Sequence, residues 1–207
     1  MKDEFLKHYK HIEYEAQAKL KEFEHISKAS EKKLFEEMAF CVFAANSSAE
    51  MGLLATKLLR PILDCGTLDD YKQAVYKKVR FYNKRTEYLF YNKLKLKEMN
   101  LTLKEIINIP NKYEKRSIIK NNFKGFGLKE ASHFLRNTGT KGLCIIDKHV
   151  MTVIKDLKVI DKDTQIKRDE DYYAIEQKII TFAKDHKLNL DILDLAAWSY
   201  MTGKIIK

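Results

Sequence analysis

Apolar side chains recur at helical spacing along most of the chain, and no segment alternates apolar and polar residues as a half-buried strand does. The two prolines, Pro61 and Pro110, each close a helical stretch, because proline lacks an N–H and disfavours a helical residue before it. We therefore predict an all-α fold. The first apolar stripe consists of Phe5, Tyr9, Ile12, Ala16, Leu20 and Phe23.

Capping signals divide this pattern into separate helices. Asp147 is predicted to cap a helix that reaches Leu157, a further helix covers about 169–187, and the last runs from about 191 to Gly203. The sequence contains no internal repeat and no clear linker, so any domain boundary has to run through packed helices. Elsewhere a capping residue stands three positions before an acidic residue, at Ser47 with Glu50, Thr67 with Asp70, Thr102 with Glu105, and Asn111 with Glu114.

Glycines are concentrated in one part of the chain. A tight turn over 123–127 separates a helix that ends at Asn122 from a second helix over 128–137. These parts make a helix-hairpin-helix over about 117–137. Its glycines permit positive φ and the close approach of a phosphate, which free N–H groups at the start of the second helix bind. Taken alone, a G-x-G pattern is weak evidence, because an ordinary turn between helices explains it most of the time. Four of the seven glycines lie in this region, at Gly125, Gly127, Gly139 and Gly142.

Composition adds a preference for an anionic partner. Lys and Arg number 39 against 29 Asp and Glu, a formal net charge of +10, which favours binding to a polyanion such as nucleic acid. The longest apolar run, 38–45, is too short to span a bilayer, so we expect a cytoplasmic or nucleoid protein that is not secreted. Cys41, Cys65 and Cys144 lie far apart without a C-x-x-C pair, which predicts neither a disulfide framework nor a metal site.

The order of the parts is more informative than any one of them. The hairpin segment 124–129 is followed by Gly139 in the loop 138–142, and then by Asp147 after two isoleucines. This order resembles that of the helix-hairpin-helix (HhH-GPD) superfamily of DNA glycosylases and AP lyases, and is most similar to the small archaeal and bacterial branch that removes 8-oxoguanine. The loop lacks the superfamily's proline. The four-cysteine iron–sulfur motif of the endonuclease III branch is absent.

The resemblance implies two packed helical subdomains with the active site in the cleft between them. Residues 1–32 and 145–207 form one subdomain in this interpretation, and 33–144 form the other. Lys129, just after the second hairpin glycine, matches the family's nucleophile, and Asp147 matches its carboxylate partner. The implied enzyme is bifunctional: Lys129 displaces 8-oxoguanine through a Schiff base with the sugar, and β-elimination then cleaves the strand.

The resemblance also implies a partner and a cofactor requirement. The substrate is double-stranded DNA that contains an oxidised purine, and the protein is expected to act as a monomer. Lys124, Gly125 and Gly127 are expected to bind DNA phosphate. Lysine chemistry of this kind needs no metal or redox cofactor, and a structural cation among the hairpin carbonyls is compatible with it.

Further site residues are expected from the same resemblance. The family's purine pocket lies near the last helix, which indicates Trp198 and Lys207, and His133 in the second hairpin helix is a third candidate for contact with the base. Asn46 is expected to enter the vacated base stack. Arg85, in a stretch that mixes aromatic and basic residues, is expected to face the opposite base. Core packing, a helix cap or a solvated surface is the alternative for each of them.

Two other functions stay open on the sequence. One is an HhH glycosylase for another damaged or mismatched base, and the other is a non-catalytic HhH DNA-binding module. The Lys129 and Asp147 pair distinguishes an enzyme from the binding module. The shape of the base pocket decides between substrates, and the sequence does not determine that shape.

Overall fold

The computed structural model describes residues 2–206, which form eleven α-helices and contain no β-strand. The all-α prediction is confirmed. Within these residues no helix is both long and apolar enough to cross a membrane. The helices are α1 (Lys2–Ile26), α2 (Glu31–Ala44), α3 (Ala49–Leu59), α4 (Leu68–Val75), α5 (Tyr82–Glu98), α6 (Leu103–Asn108), α7 (Lys112–Asn122), α8 (Leu128–Asn137), α9 (Lys148–Asp156), α10 (Asp169–Asp185) and α11 (Leu190–Thr202).

Local capping chemistry sets several helix starts. Thr67 and Thr102 each accept the backbone N–H of the acidic residue three positions on, and that carboxylate accepts the threonine's own N–H. Two of the four predicted pairs of capping and acidic residues therefore form capping boxes. Asn111 caps α7 through two N–H groups, and Asp147 caps α9 in the same way. The helix starts at these four positions follow from local sequence.

The predicted cap at Ser47 is wrong by one residue. Ser48 caps α3, and its side chain accepts the Met51 N–H. The reason is the preceding turn, in which the Ser47 N–H donates to the Ala44 carbonyl over 3.0 Å. Ser47 closes this turn, so the next residue is the first that can cap the helix.

The chain forms two compact units, one over Glu24–Thr140 and the other comprising the chain up to Phe23 and from Lys141 onward. The first boundary lies inside α1 and the second just after the loop that follows α8. The sequence-based boundaries, 32/33 and 144/145, lie C-terminal to both. The segment after Lys141 belongs with α10 and α11 because its backbone N–H groups donate to side chains of those helices.

The unit Glu24–Thr140 is built around α2. Every residue from Leu34 to Phe43 is buried, as expected of a helix that is surrounded by others. Helix α2 contacts α3, α5, α6 and α8, and α7 packs against α8. The two helices α5 and α8, which carry most of the candidate site in this unit, are thus held on one central helix.

In the other unit, α11 packs against α9 and α10. Residues 191–197 of α11 are all buried. Tyr9 of α1 accepts the N–H of Asn189, the residue that caps α11, through its hydroxyl over 2.9 Å. Most of the predicted α1 stripe is buried, with Leu20 only half-buried. The core of this unit therefore positions the start of α9, where Asp147 lies.

Candidate functional site

The predicted hairpin joins α7 to α8, and α8 covers the predicted residues 128–137. Gly125 has φ 84°, in the left-handed region that favours glycine. Gly127 has φ −92° and ψ −170°, so the expectation of positive φ is correct at Gly125 and wrong at Gly127. Gly127 stands at the N-cap of α8, where no side-chain hydrogen bond caps the helix among the residues described. An uncapped helix start of this kind is able to bind an anion.

Side chains of helix α5 support the hairpin. The fully buried side chain of Asn92 accepts the Lys124 N–H over 2.8 Å and donates to the Lys124 carbonyl over 3.0 Å. The Lys124 ammonium lies 4.0 Å from the centre of the Tyr91 ring. A Cβ at Gly125 would come within 3.0 Å of the Tyr88 ring. Sequence reasoning missed these residues; a polar Asn92 one turn after the buried Leu89 is the only signal the sequence offered.

Lys129 lies in the first turn of α8, directly after the hairpin. Its ammonium is 2.8 Å from an oxygen of Glu130, and its side chain is 28% exposed. The Lys129 side chain is therefore partly exposed, and its ammonium lies beside a carboxylate at the helix start. Glu130 was not among the predicted site residues.

A pocket of about 320 Å³ lies in the unit Glu24–Thr140, beside the hairpin. Asn46, Arg85, Gly125 and Glu130 line it together, so the structure places two predicted DNA-contacting residues next to the hairpin. The other lining residues are Val42, Ala45, Phe81, Lys84 and Tyr88.

Asn46 and Arg85 have different surroundings within this pocket. Asn46 is exposed in the turn after α2, with φ 49°. Arg85 is buried, and its guanidinium donates to the carbonyls of Phe43 and Ala45, which end α2. Arg85 thus holds the backbone that presents Asn46, and of these two residues only Asn46 is exposed.

Asp147 caps α9 in the other unit. A single carboxylate oxygen, Oδ1, accepts the N–H groups of His149 and Val150 over 2.9 and 2.8 Å. Both capping bonds use this one oxygen, so Oδ2 lies outside the cap. The imidazole of His149 contacts the half-buried Trp198 edge to face, with ring centres 6.3 Å apart. Within this unit the predicted base-binding Trp198 therefore lies near the helix start that Asp147 caps.

The remaining predicted residues are placed as follows. His133 packs edge to face against Phe40 of the central helix, with ring centres 5.6 Å apart. Lys207 lies outside the described residues. Over residues 2–206, no group of three or more His, Cys, Asp or Glu side chains is arranged to hold a metal ion.

Comparison with known proteins places these features in a family. The family model described as 8-oxoguanine DNA glycosylase matches residues 16–188. The chain belongs to the 8-oxoguanine DNA glycosylase family. An 8-oxoguanine DNA glycosylase/AP lyase of the family from Thermoplasma volcanium is 34% identical over 190 residues, covering 91% of this chain and 90% of the relative. One from Picrophilus torridus is 32% identical over 191 residues, covering 92% and 89%.

Solved structures of the family have the same fold. The 8-oxoguanine glycosylase/lyase of Methanocaldococcus jannaschii, in complex with a 15mer DNA that contains 8-oxoguanine, matches with a TM-score of 0.85 and 29% identity, covering 95% of this chain and 93% of that chain. The 8-oxoguanine DNA glycosylase of Thermotoga maritima matches with a TM-score of 0.85 and 28% identity, covering 99% and 97%. The resemblance inferred from the hairpin, Lys129 and Asp147 is therefore confirmed at the level of the family.

Proposed function

We propose that this protein is a bifunctional base-excision repair enzyme that acts as a monomer, removes 8-oxoguanine from double-stranded DNA and then cleaves the strand. The observation that carries the proposal is the partly exposed side chain of Lys129 directly after the hairpin, on a helix that begins without a side-chain cap, in a chain of this family. A DNA-binding module without catalysis has no need of a nucleophile at this position.

Lys129 is the proposed nucleophile. The damaged nucleotide leaves the duplex, and the Lys129 ammonium gives up a proton to solvent to become a neutral amine. Its nitrogen then bonds to C1′ of the sugar while the bond from C1′ to the base breaks, and the base departs with the electron pair of that bond. Opening of the sugar ring, with a proton added to the ring oxygen, gives an imine, which acidifies the C2′ proton. Transfer of this proton to water and departure of the 3′ phosphate with the electron pair of its bond to C3′ cleave the strand.

Asp147 is the proposed carboxylate partner of this reaction. Its Oδ1 is held by two backbone N–H groups, which fixes the direction of the carboxylate. The negative charge stabilises positive charge that develops on the sugar, and the carboxylate takes up the proton that the amine loses. Because this scheme uses only an amine and a carboxylate, we expect excision and strand cleavage to persist in excess EDTA.

The hairpin and its surroundings supply the DNA contacts in this proposal. Open N–H groups at the start of α8 and the ammonium of Lys124 bind a phosphate without reading sequence. Asn46, exposed beside the hairpin, is proposed to enter the vacated stack, with Arg85 holding the turn that presents it. Trp198 is proposed to contact the extruded base.

Borohydride trapping tests the nucleophile. Reduction of an imine joins protein and DNA covalently, so we expect the wild-type protein to form a trapped complex with lesion-bearing DNA. Lys129→Gln should abolish the complex and leave lesion binding largely intact, because glutamine has similar length without nucleophilicity. Lys97→Gln, at an exposed lysine in the last turn of α5, is the matched control. A trapped complex with Lys129→Gln would show that another amine is the nucleophile.

A panel of duplexes with different single lesions tests the substrate. We expect 8-oxoguanine to be released faster than guanine, uracil or thymine glycol. Oxidation turns the guanine N7 from an acceptor into a donor, so a buried acceptor favours the lesion by about 1–3 kcal/mol. Faster release of an oxidised pyrimidine would assign the enzyme to a different substrate.

A further inference from the structure

The segment 142–147, which ends at Asp147, has no regular secondary structure, and its residues 143–146 are buried. Leu143, Cys144, Ile145 and Ile146 are between 2% and 7% exposed. Backbone N–H and C=O groups buried in this way need hydrogen-bond partners. Residues 143–146 lie in no helix or strand, so their backbone groups need partners from other parts of the chain.

Side chains from two helices provide those partners at every second residue. The Gly142 N–H donates to Asp191 Oδ1 over 2.7 Å, and the Cys144 N–H donates to Glu176 Oε1 over 3.1 Å. The Ile146 N–H donates to the Tyr172 hydroxyl oxygen over 3.2 Å. Alternate N–H groups of an extended chain point to the same side, as they do toward a neighbouring strand. Three buried side chains thus take the place of an absent strand.

Tyr172 makes the last of these contacts before Asp147, and it makes two. Its hydroxyl accepts the Ile146 N–H and donates to the Cys144 carbonyl over 2.6 Å. One hydroxyl therefore fixes the backbone on both sides of Ile145. The Asp147 N–H in turn donates to the Ile145 carbonyl over 2.9 Å. The position of the Asp147 carboxylate follows from this fixed backbone and from its own capping bonds.

We propose that Tyr172 is a positioning residue for Asp147, acting through the backbone of residues 144–146. The proposal rests on the proposed function, in which Asp147 supports the chemistry at the sugar. Tyr172 itself is 3% exposed and contacts the backbone, so its effect is on the direction of the carboxylate. It should therefore influence the rate of the chemical step and leave DNA binding unchanged.

Tyr172→Phe removes both hydrogen bonds and keeps the ring that fills the core. Two buried backbone groups then lose their hydrogen bonds to Tyr172, and the segment is less firmly held. Small misplacement of a catalytic group lowers rates strongly, so we expect single-turnover excision of 8-oxoguanine at saturating enzyme to slow about ten- to a hundredfold. The dissociation constant for lesion-bearing DNA should stay within about twofold of wild type, since the hairpin is untouched.

Tyr173→Phe is the matched control. Tyr173 is the next residue of α10, carries the same side chain and is 38% exposed. None of the hydrogen bonds to the segment 142–147 described above involves Tyr173, so this variant should excise at the wild-type rate. The proposal is overturned if folded Tyr172→Phe excises as fast as Tyr173→Phe, or if any loss of rate is matched by an equal loss of DNA affinity.

Amide hydrogen exchange gives a second measurement that does not depend on activity. At a temperature where circular dichroism shows both variants folded, Tyr172→Phe should accelerate exchange at Ile146 at least tenfold, while Tyr173→Phe should not. If the wild-type protein neither excises nor traps DNA, the proposed function fails, and exchange at Ile146 still decides whether Tyr172 holds the segment. Unchanged exchange at Ile146 would overturn the positioning role by itself.

Discussion

Alanine substitutions at the two hairpin glycines should have different effects, one on folding and the other on DNA binding. Gly125 is in the left-handed region, with φ 84°, and a Cβ there would lie 3.0 Å from Cδ2 of Tyr88. Gly127 has an ordinary extended φ of −92°, and a Cβ there would meet only a carboxylate oxygen of Glu130 at 3.4 Å. The pair therefore compares a strained position with an unstrained one in the same turn.

The expected magnitudes follow from this geometry. Gly125→Ala places a Cβ in the left-handed region, which costs about 1–2 kcal/mol, and displacement of Tyr88 brings the loss of unfolding free energy to roughly 1–3 kcal/mol. Gly127→Ala replaces glycine by alanine at an N-cap, which costs under about 1 kcal/mol. Its methyl group, however, occupies the approach of a phosphate to the first N–H groups of α8. We expect DNA affinity to fall about tenfold, or about 1.4 kcal/mol.

Urea denaturation gives the stability of each variant, and fluorescence anisotropy with an undamaged duplex at fixed salt gives the affinity. If Gly125→Ala unfolds at the wild-type urea concentration, the left-handed φ and the contact with Tyr88 do not destabilise the variant. If Gly127→Ala binds the duplex as tightly as wild type, no phosphate approaches the start of α8 at this position. If both variants lose the same unfolding free energy, the difference in φ between the two glycines does not determine the cost of an added Cβ.

Three further predictions follow from other parts of the structure. Asn92→Leu should lower the unfolding free energy by about 1–3 kcal/mol and weaken binding to undamaged DNA, because both Lys124 backbone groups lose their partner; denaturation and anisotropy measure the two effects. DNA affinity should fall by orders of magnitude between about 50 and 200 mM salt, and a flat response would contradict phosphate binding. Hydrogen bonds from Thr67 lower the pKa of Asp70 in the folded state. The Asp70 carboxylate therefore stabilises the fold above the ordinary carboxylate pKa, and this contribution is lost as the pH falls through the folded-state pKa. In thermal unfolding, Asp70→Asn should show a smaller acid-induced loss of stability than wild type.

The parts of the fold that the sequence predicted are those that local chemistry determines. The capping boxes at Thr67 and Thr102 each need only residues within one helical turn, and both are present. The second hairpin helix was predicted over 128–137, where it is observed, because Gly127 and Leu128 mark its start. The error at Ser47 also has a local cause. Either of two adjacent serines could cap α3, and the turn that precedes them selects Ser48.

The contacts that support the candidate site are not local, and they escaped prediction for this reason. Asn92 is 32 positions from the Lys124 backbone it binds, and Tyr172 is 26 positions from the Ile146 N–H that donates to it. A polar residue on a buried helix face indicates that it has a hydrogen-bond partner. The partner here is a backbone group, and because every residue has one, the sequence does not show which residue provides it. Arg85 shows the same limit, since its charge pointed to DNA while its guanidinium donates to the carbonyls of Phe43 and Ala45.

The hairpin and the segment before Asp147 share one structural solution. Each is irregular backbone that precedes a proposed catalytic residue, Lys129 after the hairpin and Asp147 at the end of the segment. Each also forms hydrogen bonds with a polar side chain of a helix that carries neither residue: Asn92 of α5 for the hairpin, and Tyr172 of α10 for the segment. Irregular backbone lacks the regular hydrogen bonds of a helix or sheet, so side chains that bond to it determine its conformation. The consequence is that variation in α5 should change chiefly DNA affinity, and variation in α10 chiefly the rate of excision, although neither helix contributes the Lys129 amine or the Asp147 carboxylate.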